Sequence, residues 1–274
     1  MKRKIDYILL PFGIYAVYIL LANTGLFFLG EANGVVLTVF IDLIMSLLCY
    51  AVIHKCLSDK QLNYSARPVS SCKPVFWLCM LIAAYFIGQC AASAIYAKSG
   101  DVAYDAYASE LGSASAALYV VLVLFIAPVY EELFFRGIIY RSVKQVVPPL
   151  AAGAISALVF ALSHGTLIHM VPTFLIGFLS CVMYEYTNRL LFSILLHMAN
   201  NLLSVVVSGI ELPDLLFQPL FLVLCIGLFI AVISVLFLSN SYHTLQFYEH
   251  PVEKPHDVIA VGDEAILPDD DIQA

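Results

Sequence analysis

The sequence predicts an all-α membrane protein, built as a bundle of about eight transmembrane helices. Of its 274 residues, 62% are hydrophobic and only 12% are charged, about half the share of charge that a soluble domain carries. The apolar runs are long enough to cross a hydrocarbon core of about 30 Å. They show no alternation of apolar and polar residues over strand-length segments, so helices rather than barrel strands are expected.

Eight apolar segments are predicted to span the membrane. They lie at 7–29, 34–53, 74–97, 114–140, 149–165, 168–187, 190–209 and 215–238. Basic residues precede the first segment as in a signal peptide, but the apolar run is too long for one and lacks a clear cleavage site. We therefore expect a retained first span.

The distribution of charge predicts the two domains of the chain and its orientation. Residues 1–240 form the transmembrane bundle, and residues 241–274 form an acidic, disordered tail. Lysine and arginine are concentrated in alternate predicted loops, and this distribution predicts that both termini lie in the cytosol. If the source is bacterial, the membrane is the cell membrane. The loops predicted to be cytosolic contain Lys55, Lys60, Arg67, Lys73, Arg141, Lys144 and Arg189, whereas the opposite loops contain Lys98. No basic stripe indicates a nucleic-acid partner.

Ionisable residues lie inside the fourth predicted span, where each ionised group costs about 2.5–3.5 kcal/mol at mid-span. Glu132 and Arg136 are four residues apart, so they share a helix face and can form an ion pair. Glu131 points about 100° away and has no cation at helical spacing. A solvated salt-bridge cluster at a cytosolic helix end is the alternative, which the apolar residues around the pair disfavour.

Polar residues also lie in the fifth and seventh spans. His164 follows Phe160 by four residues, and His197 and Asn201 are four apart on one helix face, with Asn200 beside that face. Alone, each is typical of an interhelical hydrogen bond, worth about 0.6–2 kcal/mol. Their presence together in apolar helices favours a functional site.

Asp42 is a further carboxylate, in the middle of the second predicted span. It has no obvious partner in the sequence. We interpret it as a protonated residue in a buried interhelical hydrogen bond.

Three motifs on separate spans resemble the CPBP family of membrane proteins. They are Glu131-Glu132-x-x-x-Arg136, Phe160-x-x-x-His164 and His197-x-x-x-Asn201. The family contains the type II CAAX prenyl proteases and relatives that process bacteriocins, and the resemblance covers about residues 114–210. It implies an eight-span intramembrane endopeptidase whose active-site cavity opens to the cytosol. Its substrate would be a peptide or a membrane-anchored protein in the lipid bilayer.

The resemblance also implies the role of each site residue. The catalytic residues would be Glu131, Glu132, His164, His197 and Asn201, with Arg136 and Phe160 in support. Glu131 would activate water with help from His164. His197 and Asn201 would stabilise the oxyanion. This division suits amide hydrolysis, which needs a base for water and donors for the developing negative charge.

No cofactor is expected, because the sequence contains no His-Glu-x-x-His zinc helix. A divalent metal is nevertheless an alternative. His164, His197 and Glu131 are of the residue types that form a catalytic zinc site with three protein ligands.

Two other classes of function remain open at this point. One is a non-enzymatic membrane scaffold or a bacteriocin-immunity-type protein on the same fold, which the ionisable residues inside the membrane disfavour. The other is a proton-coupled transporter, which the absence of internal repeats disfavours.

Overall fold

The computed structural model describes residues 2–29, 34–57, 74–99, 116–208, 223–227 and 229–231. Within these ranges the regular structure is helical and contains no strand. Among the described residues, four helical segments are long and apolar enough to cross a membrane, namely Gly34–Cys56, Trp77–Tyr96, Leu167–Thr187 and Leu190–Val207. The chain is an all-α membrane protein, as the sequence predicted.

Seven described helices coincide with the first seven predicted spans. They are α1 (Lys2–Leu29), α2 (Gly34–Cys56), α3 (Pro74–Ser99), α4 (116–143), α5 (Pro149–Leu162), α6 (Leu167–Thr187) and α7 (Leu190–Ser208). The eighth predicted span, 215–238, is described only at 223–227 and 229–231, which are helical. The predicted tail, 241–274, lies outside the described residues.

Helix α4 contains two π-helical segments, Leu122–Ile126 and Glu132–Tyr140. The first ends just before Pro128, which has no N–H and whose ring crowds the carbonyl four residues earlier, so the helix widens there. In the second, the carbonyl oxygen of Phe135 accepts a hydrogen bond of 2.9 Å from Ser156 Oγ of α5. Such wide turns occur frequently at functional sites. The apolar pattern predicted an unbroken helix and gave no sign of them.

Helix α4 occupies the centre of the described bundle, packed against α2, α5 and α7, and α6 packs against α3 and α5. Helices α3 and α6 approach closely because Gly88 has no side chain. A Cβ atom at Gly88 would lie 2.8 Å from the Cα atom of Pro172. Small residues commonly allow such contacts between membrane helices.

Polar side chains join α2, α4 and α6 where α4 ends. Arg141 donates hydrogen bonds to the carbonyl oxygen of Leu57 and to the hydroxyl of Tyr184. Lys144 forms an ion pair with Glu185. Arg141 thereby satisfies a carbonyl group just after the end of α2, which would otherwise be left without a partner. This cluster fixes the position of α4 relative to its neighbours.

Candidate active site

The ion pair predicted between Glu132 and Arg136 is present and buried. Arg136 Nη1 lies 2.9 Å from Glu132 Oε1, and both side chains are 0% exposed. Arg136 Nη2 also donates a hydrogen bond of 2.8 Å to the carbonyl oxygen of Gly177 on α6. Removing one partner of such a pair leaves an uncompensated charge, which costs about 3–5 kcal/mol.

His197 of α7 lies between the two glutamates of α4. Its Nδ1 is 2.9 Å from Glu132 Oε1, and its Nε2 is 3.5 Å from Glu131 Oε2. An ionised Glu132 carboxylate only accepts hydrogen bonds, so Nδ1 is the donor in this contact. The sequence placed His197 and Asn201 on one face, but it did not predict that Glu132 holds the imidazole.

The two adjacent glutamates have different environments. Glu132 is fully buried and contacts both Arg136 and His197, whereas the side chain of Glu131 is 22% exposed. Glu131 is therefore the more accessible of the two carboxylates. This agrees with the helical geometry, which pointed the two side chains about 100° apart.

Phe160 of α5 is the centre of the aromatic contacts around this cluster. Its ring lies 4.7 Å from the guanidinium carbon of Arg136, a cation–π contact. The ring centroids of His164 and His197 lie 4.8 Å and 5.6 Å from that of Phe160, both near-perpendicular. Phe160 is 1% exposed. Its buried ring contacts the Arg136 guanidinium and both imidazoles.

His164 lies in the turn after α5, since the helix ends at Leu162 rather than continuing to the predicted 165. Its Nδ1 is 2.9 Å from the carbonyl oxygen of Phe160. A carbonyl oxygen can only accept, so Nδ1 carries the proton and the neutral ring leaves Nε2 as an acceptor. The side chain is partly exposed.

Asn201 anchors α7 to the first π-helical segment of α4. Its Nδ2 donates a hydrogen bond of 2.9 Å to the carbonyl oxygen of Val123, and its Oδ1 accepts one of 3.3 Å from Asn200. One of the two hydrogens on Nδ2 is therefore engaged within the protein. The sequence did not predict this contact, because the accepting group belongs to the backbone.

Gly177 of α6 is a site residue that the sequence analysis missed. A Cβ atom there would lie 2.9 Å from Phe160 Cδ1 and 3.1 Å from Arg136 Nη2. The missing side chain lets Arg136 reach the Gly177 carbonyl oxygen. A glycine within an apolar membrane helix predicts a close contact with a neighbouring helix, and Gly177 is such a glycine in α6.

Asp42 of α2 is buried, as expected. The residue is 3% exposed. Its Oδ1 has no hydrogen-bond partner within the described part of the chain, so the expected interhelical hydrogen bond is not made by this oxygen.

The described residues do not form a three-ligand metal site. No group of three His, Cys, Asp or Glu side chains within the described ranges is arranged to hold a metal ion. His164, His197 and Glu131 are accordingly not grouped as three ligands where the structure places them.

Comparison with known proteins identifies a family and a relative, and the family match covers the three motifs. Residues 113–203 match the family described as type II CAAX prenyl endopeptidase Rce1-like. The protein YdiL of Bacillus subtilis (strain 168), named as a candidate membrane peptidase, is 28% identical over 91 residues. This alignment spans 33% of the present chain and 37% of YdiL. No solved structure matches the chain.

The matched segment contains every residue of the three motifs. The resemblance found in the sequence is therefore confirmed for this part of the chain. The matched family and relative support a membrane protease as the kind of function.

Proposed function

We propose that the protein is an intramembrane endopeptidase, which hydrolyses a peptide bond in a membrane-associated protein or peptide with water activated by Glu131. The observation that carries the proposal is the position of His197 between Glu131 and Glu132, 3.5 Å from one and 2.9 Å from the other. An imidazole with an accessible carboxylate on one side and a buried one on the other is suited to acid–base chemistry. The family match over 113–203 supports the same class of reaction.

In the proposed first step, Glu131 removes a proton from water while the water oxygen attacks the carbonyl carbon of the scissile bond. Glu131 is suited to this role because it is the accessible glutamate. His164 supports it as a second acceptor for the water through Nε2, since its Nδ1 is engaged by the Phe160 carbonyl oxygen. The product of this step is a tetrahedral oxyanion and a protonated Glu131.

His197 and Asn201 are the proposed donors to the oxyanion. His197 donates through Nε2 when that atom carries a hydrogen, while its Nδ1 contacts the Glu132 carboxylate. Asn201 donates the Nδ2 hydrogen that is not bonded to the Val123 carbonyl oxygen. Donors that are held in place before the reaction are the most effective ones, because no reorganisation is needed as charge develops.

In the second step, the bond between carbon and nitrogen breaks and the leaving amine takes the proton from Glu131. One water and one amide thus give one carboxylic acid and one amine, and Glu131 returns to its ionised form. Glu132 and Arg136 hold their charges throughout as a buried pair. The proposed role of this pair is to orient His197.

We propose a peptide or membrane-anchored protein as the substrate, entering an intramembrane cavity from the cytosolic side. The name of the matched family makes a prenylated C-terminal peptide one option, and an unprenylated transmembrane peptide is another. Purified protein reconstituted in lipid vesicles should be tested with both types of probe, each carrying a fluorophore and a quencher around the cleavage region.

The decisive variant is Glu131→Gln, which keeps the size and hydrogen bonding of the side chain but cannot accept a proton. We expect it to abolish cleavage while leaving folding intact, because a general base contributes about 10²–10⁴ in rate. Glu185→Gln is the matched control, since Glu185 is similarly exposed, at 20%, and lies in the cluster with Lys144. It should cleave at about the wild-type rate, because the introduced amide oxygen still accepts a hydrogen bond from Tyr140 and keeps α4 in place.

His197→Ala and Asn201→Ala should leave a reduced but measurable rate, because each removes one oxyanion donor, worth about 3–4 kcal/mol. Wild-type cleavage by Glu131→Gln would contradict the assignment of the base. Binding of a peptide without any cleavage by the wild type would instead favour the non-enzymatic scaffold.

A further inference from the structure

The carbonyl oxygen of Val123 lies inside helix α4 but lacks its donor in that helix. In the first π-helical segment, the backbone N–H of Ala127 bonds to the carbonyl oxygen of Leu122, five residues earlier. In the same register, the next N–H would belong to residue 128 and would bond to Val123. Residue 128 is proline, which has no N–H. The Val123 carbonyl oxygen is therefore left to a donor from outside α4.

Asn201 of α7 supplies that donor. Its Nδ2 lies 2.9 Å from the Val123 carbonyl oxygen. Buried backbone carbonyl groups are almost always paired, so the side-chain amide takes the place of the N–H that Pro128 lacks. Pro128 is itself fully buried, and α7 packs against this part of α4. The contact thus joins the two helices close to Glu131, which follows Pro128 by three residues.

The orientation of the Asn201 amide is set at both of its ends. A carbonyl oxygen can only accept, so the nitrogen of the amide rather than its oxygen faces Val123. At the other end, Oδ1 accepts a hydrogen bond of 3.3 Å from Asn200. Because the amide group is planar, these two contacts fix the direction of the second Nδ2 hydrogen. The proposed reaction assigns this hydrogen to the oxyanion.

We propose that Pro128 is a positioning residue for the reaction, which acts through Asn201. By removing one backbone N–H, it leaves the Val123 carbonyl oxygen to hold the Asn201 amide in place as an oxyanion donor. The inference rests on the proposed function of Asn201. Pro128 itself contacts neither the substrate nor the reacting atoms. A donor that is fixed in advance needs no reorganisation as charge develops, so the contribution of Pro128 lies in kcat rather than in KM.

Two replacements of Pro128 separate the missing N–H from the ring. Pro128→Ala restores an N–H that competes with Asn201 for the Val123 carbonyl oxygen. It should lower kcat on the quenched peptide probes about ten- to hundredfold with KM unchanged, as for a misplaced catalytic group. Its ester analogue, with lactic acid at position 128, lacks both the ring and the N–H. It should keep kcat within about threefold of the wild type, because no hydrogen bond to Val123 is gained.

Equal impairment of Pro128→Ala and its ester analogue would overturn the proposal, because the ring would then be the cause. Pro11→Ala is the matched control, since Pro11 also lies inside a membrane helix, α1. The same backbone change there should leave kcat unchanged. Rates are compared per folded molecule after size-exclusion chromatography, so that a loss of folded protein is not mistaken for a loss of kcat. An equal loss in Pro11→Ala and Pro128→Ala would also overturn the proposal.

A double-mutant cycle measures whether Pro128 acts through Asn201. In the wild-type background, Asn201→Ala should lower kcat about 10²–10³-fold, as for loss of one oxyanion donor. In the Pro128→Ala background the same substitution should have a smaller effect, because the amide is no longer held as a donor there. Residues of one hydrogen-bond network show such non-additivity. Losses that multiply independently would contradict the proposed coupling.

Solid-state NMR tests the contact without any substrate. Protein labelled with 13C at valine carbonyl groups and 15N at asparagine side chains should show a dipolar coupling between Val123 and Asn201 Nδ2, identified by its loss in Asn201→Ala. The coupling should weaken in Pro128→Ala and persist in the ester analogue. An unchanged coupling in Pro128→Ala overturns the proposal. A wild type that cleaves neither probe contradicts the proposed function, whereas this coupling decides the pairing on its own.

Discussion

The carboxylate of Glu131 and the imidazole of His197 face each other, with Oε2 and Nε2 3.5 Å apart. Nδ1 of the same ring donates to Glu132, so Nε2 has no hydrogen unless the ring is doubly protonated. Two bare lone pairs would repel at this distance. A hydrogen bond between these two atoms therefore requires a proton on one of them.

The first prediction concerns Arg136 as a structural residue. We expect Arg136→Ala to lower the stability of the protein by about 3–5 kcal/mol, because it leaves Glu132 buried without its cation. Asn201→Ala removes one partly buried hydrogen bond to the Val123 carbonyl oxygen and should cost about 0.6–2 kcal/mol. Unfolding in detergent, followed for both variants side by side, measures the difference. Equal stability of the two would show that Arg136 is not held in the buried pair.

The second prediction concerns the close packing at Gly177. A Cβ atom there would lie 2.9 Å from Phe160 Cδ1 and 3.1 Å from Arg136 Nη2, both shorter than van der Waals contact. Arg136 and His164 pack against the Phe160 ring and restrict its movement. Gly177→Ala should therefore destabilise the protein by about 1–3 kcal/mol and reduce cleavage, because it displaces the guanidinium that orients Glu132.

Gly153→Ala is the control for that substitution. Gly153 is also a buried glycine inside a membrane helix, but a Cβ atom there would meet its nearest neighbour, Cys181 Cβ, at 3.4 Å. We expect it to be neutral or to stabilise the helix by up to about 1 kcal/mol. If the two alanine variants unfold at the same temperature, the contact at Gly177 is not restrictive.

Some of these features could be predicted from the sequence and others could not. Long apolar runs place the helices, and the four-residue spacing of Glu132 and Arg136 predicts their ion pair, because both follow from local periodicity. The contact of His197 with Glu132 depends on how α7 is rotated toward α4. That rotation is fixed by packing between distant segments, so one sequence does not reveal it.

Contacts to the backbone were the least predictable part of the site. Arg136, Ser156 and Asn201 each donate to a main-chain carbonyl oxygen. Every residue carries such a carbonyl, so its residue type gives no hint of the contact. Two of the acceptors lie in the π-helical segments of α4, and hydropathy does not distinguish these segments from an ordinary α-helix.

The third prediction is that the proposed cleavage does not depend on a metal ion. The purified protein should contain no stoichiometric zinc by elemental analysis and should keep its activity after dialysis against a chelator. The physical reason is that no three His, Cys, Asp or Glu side chains in the described part of the chain are grouped so that they could hold a metal ion. Loss of cleavage on chelation that added zinc restores would reverse this expectation.

The fourth prediction is the orientation in the membrane, which the lysine and arginine distribution indicates. In a variant whose sole cysteine is Cys72, a membrane-impermeant maleimide should label the protein only after permeabilisation. A cysteine-free background carrying Asp101→Cys should be labelled in intact cells. The reverse pattern would place the 98–113 loop in the cytosol and would contradict a cytosol-facing site.

The length of α5 has a consequence for the lipid around it. Its 14 residues extend about 21 Å, about 9 Å less than a typical hydrocarbon core. Such hydrophobic mismatch is relieved when the bilayer thins beside the short helix or when flanking residues reach out to the interface. The turn that carries His164 follows directly after this helix, so thinning of the bilayer beside α5 would bring that turn closer to the membrane interface.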